Sequence, residues 1–99
     1  MNVLWVENHA IFANLAARQF LAGHAVTIVP SLARARAALA STTFVVVLVD
    51  FDLDDGKGVE LVRELRRAPQ RPWLVATSAH DAGNLALIEA PHAKCRARA

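Results

Sequence analysis

The sequence predicts an α/β fold in which an open parallel sheet carries helices on both faces. Short apolar segments of strand length recur along the chain, and amphipathic segments with helical spacing separate them. Each intervening segment is long enough for a crossover between parallel strands. With 99 residues, 55% of them hydrophobic and 20% charged, the chain has the size and composition of one globular domain.

The first strand and helix are predicted near the N-terminus. Residues 2–6 form an apolar, partly β-branched run that is typical of a buried strand. Apolar side chains then recur at helical spacing and predict an amphipathic helix over residues 9–21. Gly23 follows directly, at a position where helices often end.

The next three elements extend the alternation. Residues 25–29 predict a second strand, and Ser31 can cap a second helix that runs to about residue 40. Residues 44–49 are uniformly apolar and predict a strand that is buried on both faces, as in a parallel sheet.

The remaining elements follow an acidic loop at residues 50–58. A third helix is predicted over residues 59–66, and a fourth strand over residues 73–77. Residues 82–90 predict a fourth helix, which Gly83 weakens. The predicted order is therefore β-α-β-α-β-α-β-α.

Acidic residues stand at the ends of two strands, with Glu7 after the first and Asp50 after the third. In a flavodoxin-like strand order, 2-1-3-4-5, these strands are neighbours, and ligands bind beyond their carboxyl ends. Clustered carboxylates can hold Mg²⁺, and a carboxylate can accept a phosphoryl group. A solvated acidic loop is an equally good interpretation of the spacing. A nucleotide site is disfavoured because no glycine-rich loop follows the first strand.

Four segments together resemble the receiver domains of response regulators, which have a CheY-like fold. They are residues 3–9, 46–58, 59–66 and 74–80, and the resemblance covers residues 2 to about 90. It implies that Asp50 is the phosphoacceptor. It also implies that Glu7, Asn8, Asp50 and the backbone carbonyl of Asp52 bind Mg²⁺, and that Ser78 is the switch hydroxyl.

Several positions depart from the receiver pattern. Asn8 stands where a second acid is expected, which predicts a weakened Mg²⁺ site, and Thr77 is an alternative to Ser78 one residue away. Lys57 lies in the acidic loop, where its ammonium could pair with Asp54 or Asp55 or compete with the cation.

The C-terminal segment departs most from that pattern. We expect a receiver-like domain over residues 1–90, followed by a basic tail or degenerate fifth strand over residues 91–99, with the fifth helix missing. Arg98 falls where receivers place a phosphate-binding lysine, although its planar fork differs from a lysine point charge. Without a fifth helix, apolar side chains of the first and third strands are expected to be exposed, which predicts a homodimer. A truncated product is the alternative for this tail.

The resemblance implies a phosphoacceptor receiver domain of a two-component phosphorelay. Its partners would be a sensor histidine kinase or phosphotransfer protein and a downstream protein. It would not be an enzyme beyond self-catalysed phosphoryl transfer to Asp50. The alternative is a pseudo-receiver, an interaction module that takes no phosphate.

Composition limits the other classes of function. The single cysteine, Cys95, and the lack of an N-terminal signal pattern predict a cytoplasmic protein. No apolar run is long enough to span a membrane. The basic groups lack a recognised DNA-binding motif, so direct nucleic-acid binding is not expected.

Overall fold

The computed structural model describes residues 1–69, 71–78 and 84–89, and it confirms the α/β fold. The main strands are β1 (Asn2–Val6), β2 (Ala25–Val29), β3 (Val46–Asp50), β6 (Trp73–Ser78) and β7 (Asn84–Glu89). The short strands β4 (Asp52–Leu53) and β5 (Gly56–Lys57) form a separate hairpin. The helices are α1 (Ala10–Phe20), α2 (Leu32–Ser41) and α3 (Gly58–Arg66).

The main strands form one five-stranded sheet in the order β2-β1-β3-β6-β7. The first four strands in this order are parallel, as predicted for a CheY-like fold. Parallel strands align their carboxyl ends at one edge of the sheet, and we call this the carboxyl edge. The ends of β1, β3 and β6 therefore meet there.

The edge strand β7 corrects one prediction. Asn84–Glu89 lies in an extended conformation and pairs antiparallel with β6, so the predicted helix over residues 82–90 is wrong for these residues. Short apolar segments are ambiguous between helix and strand, and here the pairing with a neighbouring strand decides. The predicted domain boundary at residue 90 and the tail at 91–99 lie outside the described residues.

One face of the sheet packs against α2 and α3. Leu4 and Val6 of β1 and Val47 and Val49 of β3 are buried in this cluster. The helices contribute their own buried side chains, namely Leu32, Ala35, Leu61, Val62 and Leu65. An ion pair between Arg36 and Glu64, with N···O 2.6 Å, joins the two helices at the surface.

The other face packs against α1. Val3, Trp5 and Leu48 are buried there at 2%, 3% and 4% exposure. The Phe12 ring meets Trp5 edge-on, with 5.9 Å between centroids, and Ala13 is buried beside them. The expectation that this face exposes the apolar side chains of the first and third strands is therefore wrong for these residues. That expectation was the reason for predicting a homodimer, which stays a prediction without this support.

The N-terminus of α2 is held from the loop after β3. Both carboxylate oxygens of Asp55 accept backbone hydrogen bonds, one from Leu32 at 2.9 Å and one from Ala33 at 3.0 Å. Ser31 caps the same turn by accepting from the Arg34 amide at 3.2 Å, as its position predicts. These bonds lower the pKa of Asp55 and tie the acidic loop to the helix.

In the part of the chain that the structure describes, no helix has the length and apolar character needed to cross a membrane.

Two leucines test this division between core and surface. Leu4 is fully buried, whereas Leu15 on α1 is 59% exposed. Leu4→Ala should lower the free energy of unfolding by about 2–5 kcal/mol, because it removes buried contacts and leaves a cavity. Leu15→Ala should change it by less than about 0.5 kcal/mol. Urea unfolding measures both, and similar losses for the two variants would contradict the assigned core.

Candidate functional site

Strand register brings the two predicted acids together at the carboxyl edge. In the β1–β3 pair, Trp5 lies opposite Leu48 and Val6 opposite Val49. The next step along each strand reaches Glu7 and Asp50, and side chains two residues apart share a face. A hydrogen bond from the Glu7 amide to the Val29 carbonyl, 2.9 Å long, holds Glu7 at this edge. The prediction that these acids are neighbours is thus explained by the pairing.

Both carboxyl groups are withdrawn from water. Glu7 is 0% exposed and Asp50 is 6% exposed. Burial raises the pKa of Asp50 above the usual carboxyl value, and the negative charge of Glu7 raises it further. The backbone amide of Asp52 donates a hydrogen bond to the Asp50 carboxylate and partly offsets this effect. Two carboxylates that are buried side by side repel each other unless a proton or a cation lies between them.

His9 is a member of this cluster that the sequence analysis did not assign. Its ring Nδ1 lies 2.8 Å from Glu7 Oε2, and its backbone amide donates to the same oxygen over 3.1 Å. Three residues, Glu7, His9 and Asp50, each offer one ligand atom. These atoms lie within 4.8 Å of one another, so the residues could hold a metal ion. The position of His9, three residues after the end of β1 and two after Glu7, was the only signal in the sequence.

Asn8 and Asp52 occupy the borders of the cluster. The Asn8 amide nitrogen donates to Asp54 Oδ1 at 3.1 Å, while its Oδ1 is buried and unpartnered among the described residues. Asp52 points its side chain away to Lys57, with Nζ···Oδ1 2.6 Å. The predicted pairing of Lys57 with Asp54 or Asp55 is therefore wrong, because the β4–β5 hairpin places Lys57 opposite Asp52.

The donor atoms present fit a divalent cation. Glu7 Oε1 and Asn8 Oδ1 are buried oxygens without a hydrogen-bond partner in the described part of the chain, and such orphaned acceptors are rare in proteins. Mg²⁺ binds carboxylate, amide and backbone oxygens, so all of these donors suit it. Asn8 can supply an oxygen ligand but brings no negative charge. The site therefore has the donors for a cation and less negative charge than a site with a third acid.

The hydroxyl-bearing strand β6 flanks Asp50 on its other side. Thr77 lies opposite Asp50 in the β3–β6 register, and Ser78 is the next residue toward the carboxyl edge. Thr77 is buried, and its Oγ1 has no partner among the described residues. The side chain of Ser78 lies outside the described part of the structure, as does Arg98, so both roles stay predictions.

Gly58, the first residue of α3, allows the helix to approach the backbone of Asp50. Its amide donates to the Phe51 carbonyl at 2.9 Å. A Cβ at this position would collide with the Asp50 carbonyl oxygen and lie 2.7 Å from Val49 Cγ1. The helix start therefore fixes the backbone that carries the Asp50 carboxylate.

A pair of glycine variants tests this contact. Gly58→Ala should lower the free energy of unfolding by about 1–3 kcal/mol, because rigid backbone atoms must shift to admit the methyl group. Gly23→Ala is the matched control, since a Cβ there meets nothing within 4 Å. Urea unfolding measures the two effects, and a Gly58→Ala protein as stable as Gly23→Ala would show that the close approach is unimportant.

Comparison with protein-family models and with curated proteins finds no match. Among solved structures, the chain is similar to the MaeR response regulator bound to beryllium trifluoride, with 28% identity and a TM-score of 0.71. It is also similar to a sensor protein from Polaromonas sp. JS666, with 30% identity and a TM-score of 0.71. A CheY-like response regulator receiver domain from Methylobacillus flagellatus matches with 27% identity and the same TM-score.

These similarities cover 80%, 79% and 79% of this chain. In the same order they cover 67%, 65% and 69% of the solved chains, so this chain spans about two thirds of their length. The parallel strand order and the buried acids at the carboxyl edge agree with the likeness to these structures. The chain therefore has the CheY-like fold of response regulator receiver domains.

Proposed function

We propose that this receiver domain accepts a phosphoryl group on Asp50 in a two-component phosphorelay. The observation that carries the proposal is the buried carboxylate of Asp50 beside that of Glu7, at the edge of the sheet where three strands end. Asp50 is thereby held close to groups that can bind a cation, and the Asp52 amide orients its carboxylate. Positioning and charge neutralisation are what phosphoryl transfer to oxygen requires.

The donor would be a phosphohistidine of a sensor kinase or of a phosphotransfer protein. A carboxylate oxygen of Asp50 attacks the phosphorus, an O–P bond forms, and the N–P bond of the donor breaks. The donor imidazole leaves with the electron pair of that bond and takes up a proton. The chain would thus be no enzyme toward a separate substrate, because the phosphoryl group stays on its own Asp50.

Mg²⁺ bound by Glu7, Asp50, Asn8 and the Asp52 carbonyl would neutralise charge on the phosphoryl oxygens and on the two acids. Burial raises the pKa of Asp50, and a bound cation would favour the ionised carboxylate, which is the nucleophilic form. Glu7 would offer the ion its buried Oε1, which has no hydrogen-bond partner among the described residues. The missing charge at Asn8 would weaken Mg²⁺ binding.

The signal would pass to a protein partner through the surface next to β6, with Ser78 as the hydroxyl that responds to the phosphoryl group. Such a relay places the domain in the cytoplasm, where the kinase domain of a two-component system acts. A pseudo-receiver that binds partners without phosphate is the alternative, and the test below separates the two.

Intact-mass spectrometry tests the assignment of Asp50. After incubation with phosphoramidate and Mg²⁺, the wild-type chain should gain the mass of one phosphoryl group, and omission of the cation should abolish the gain. Asp50→Asn should gain nothing, because the nucleophile is gone. Asp54→Asn is the matched control, since it keeps a hydrogen-bond acceptor for Asn8 and should react like wild type.

All samples would first show a cooperative thermal transition, so that an unfolded chain is not mistaken for an unreactive one. A folded wild-type protein that gains no mass would contradict the phosphoacceptor function and leave the pseudo-receiver. Equal adducts on wild type and Asp50→Asn would assign the reaction to another residue.

A further inference from the structure

The candidate metal site contains an imidazole next to the two buried carboxylates. The side chain of His9 is 56% exposed and stands over Glu7, with its Nδ1 2.8 Å from Glu7 Oε2. His9 is also the N-cap residue of α1, but its side chain makes no capping hydrogen bond. The ring is therefore engaged with the site and has no role in starting the helix.

Glu7 supplies the second observation that points to a ligand. Its side chain is fully buried, yet Oε1 has no hydrogen-bond partner in the described residues. Burial of a charged oxygen without a partner is costly, and a bound cation removes that cost. Oε2 of the same carboxylate lies 2.8 Å from His9 Nδ1, so the imidazole stands beside the carboxylate that would bind the cation.

The mixed set of donors decides which cation the site favours. Mg²⁺ takes oxygen ligands and keeps several waters, and an imidazole nitrogen adds nothing to its binding. Imidazole suits Zn²⁺ and other late transition ions, and Zn²⁺ sites often combine histidine with carboxylates and one water. We infer that His9, Glu7 and Asp50 form a site that selects a divalent transition ion such as Zn²⁺ over Mg²⁺.

The distances allow such a site after a small adjustment. Tetrahedral Zn²⁺ with bonds of about 2.0–2.2 Å places its ligand atoms roughly 3.3–3.6 Å apart. The ligand atoms of the three residues lie within 4.8 Å of one another, so the most widely spaced pair must approach by at most about 1.5 Å, whereas His9 Nδ1 and Glu7 Oε2, 2.8 Å apart, must separate slightly. His9 can make this movement because it is the exposed member, whereas the Glu7 amide is bonded to the Val29 carbonyl and Asp50 is paired with β6.

This inference concerns the ion of the proposed site, but it does not require phosphoryl transfer. Its test is calorimetric titration of the folded 99-residue chain with Zn²⁺ and, separately, with Mg²⁺. His9→Asn removes the imidazole and supplies a residue that is favourable at a helix N-cap. His24→Asn is the matched control, because His24 is an exposed histidine in the turn before β2.

We expect His9→Asn to weaken Zn²⁺ binding about tenfold or more, because the variant lacks the imidazole of the site. Its affinity for Mg²⁺ should change less than about twofold, because Mg²⁺ is bound by oxygens. His24→Asn should leave both affinities unchanged. Two-bond ¹H–¹⁵N spectra of the histidine rings should show the His9 ring shifted by Zn²⁺ and not by Mg²⁺. Repeating the titrations with Cys95→Ser removes any contribution of the thiol.

Zn²⁺ affinity that is the same in wild type and His9→Asn would overturn the inference, as would an equal loss for both ions. One outcome is that Mg²⁺ binds, the Asp50 adduct forms, and Zn²⁺ affinity does not depend on His9. The proposed selectivity would then be wrong, and the proposed function would stand. Zn²⁺ binding through His9 without any phospho-adduct would support the metal site and contradict phosphoryl transfer.

Discussion

The electrostatic repulsion between two buried carboxylates, Glu7 and Asp50, is the constraint on which the site depends. Neither group is exposed enough for water to screen the other, and burial together with the charge of Glu7 raises the pKa of Asp50. A charge left unpaired in such a place is destabilising, so the pair requires a proton or a cation. Phosphoryl transfer to Asp50 requires the cation, because a protonated carboxyl group is not nucleophilic.

The fold creates this repulsion and holds it in place. Parallel pairing of β1 with β3 puts the two side chains on one face, and the start of α3 at Gly58 packs directly on the Asp50 backbone. Asp55 ties the loop after β3 to α2 through two backbone hydrogen bonds. The acids therefore have little freedom to separate, and relief must come from a bound ion or proton.

Local patterns in the sequence were sufficient for the strands β1 to β3, the helices and the nearness of Glu7 to Asp50, because period and strand order determine them. They were insufficient for β7, where a short apolar segment becomes a strand only by pairing with β6. The ion pair of Lys57 with Asp52 depends on the short β4–β5 hairpin. The contact of His9 with Glu7 depends on the direction of a side chain just after the end of β1. Neither has a periodic signal.

The pH dependence of stability, compared between wild type and Asp50→Asn, tests the central claim most directly. Because the folded pKa of Asp50 is raised, the native wild type holds this proton more tightly than the unfolded chain. Its free energy of unfolding should therefore fall as pH rises from the ordinary carboxyl value of 3.8 through the raised pKa. Asp50→Asn should lack this fall, and saturating Mg²⁺ or Zn²⁺ at matched ionic strength should abolish it in wild type. A difference between the two proteins that is independent of both pH and cation would contradict the account.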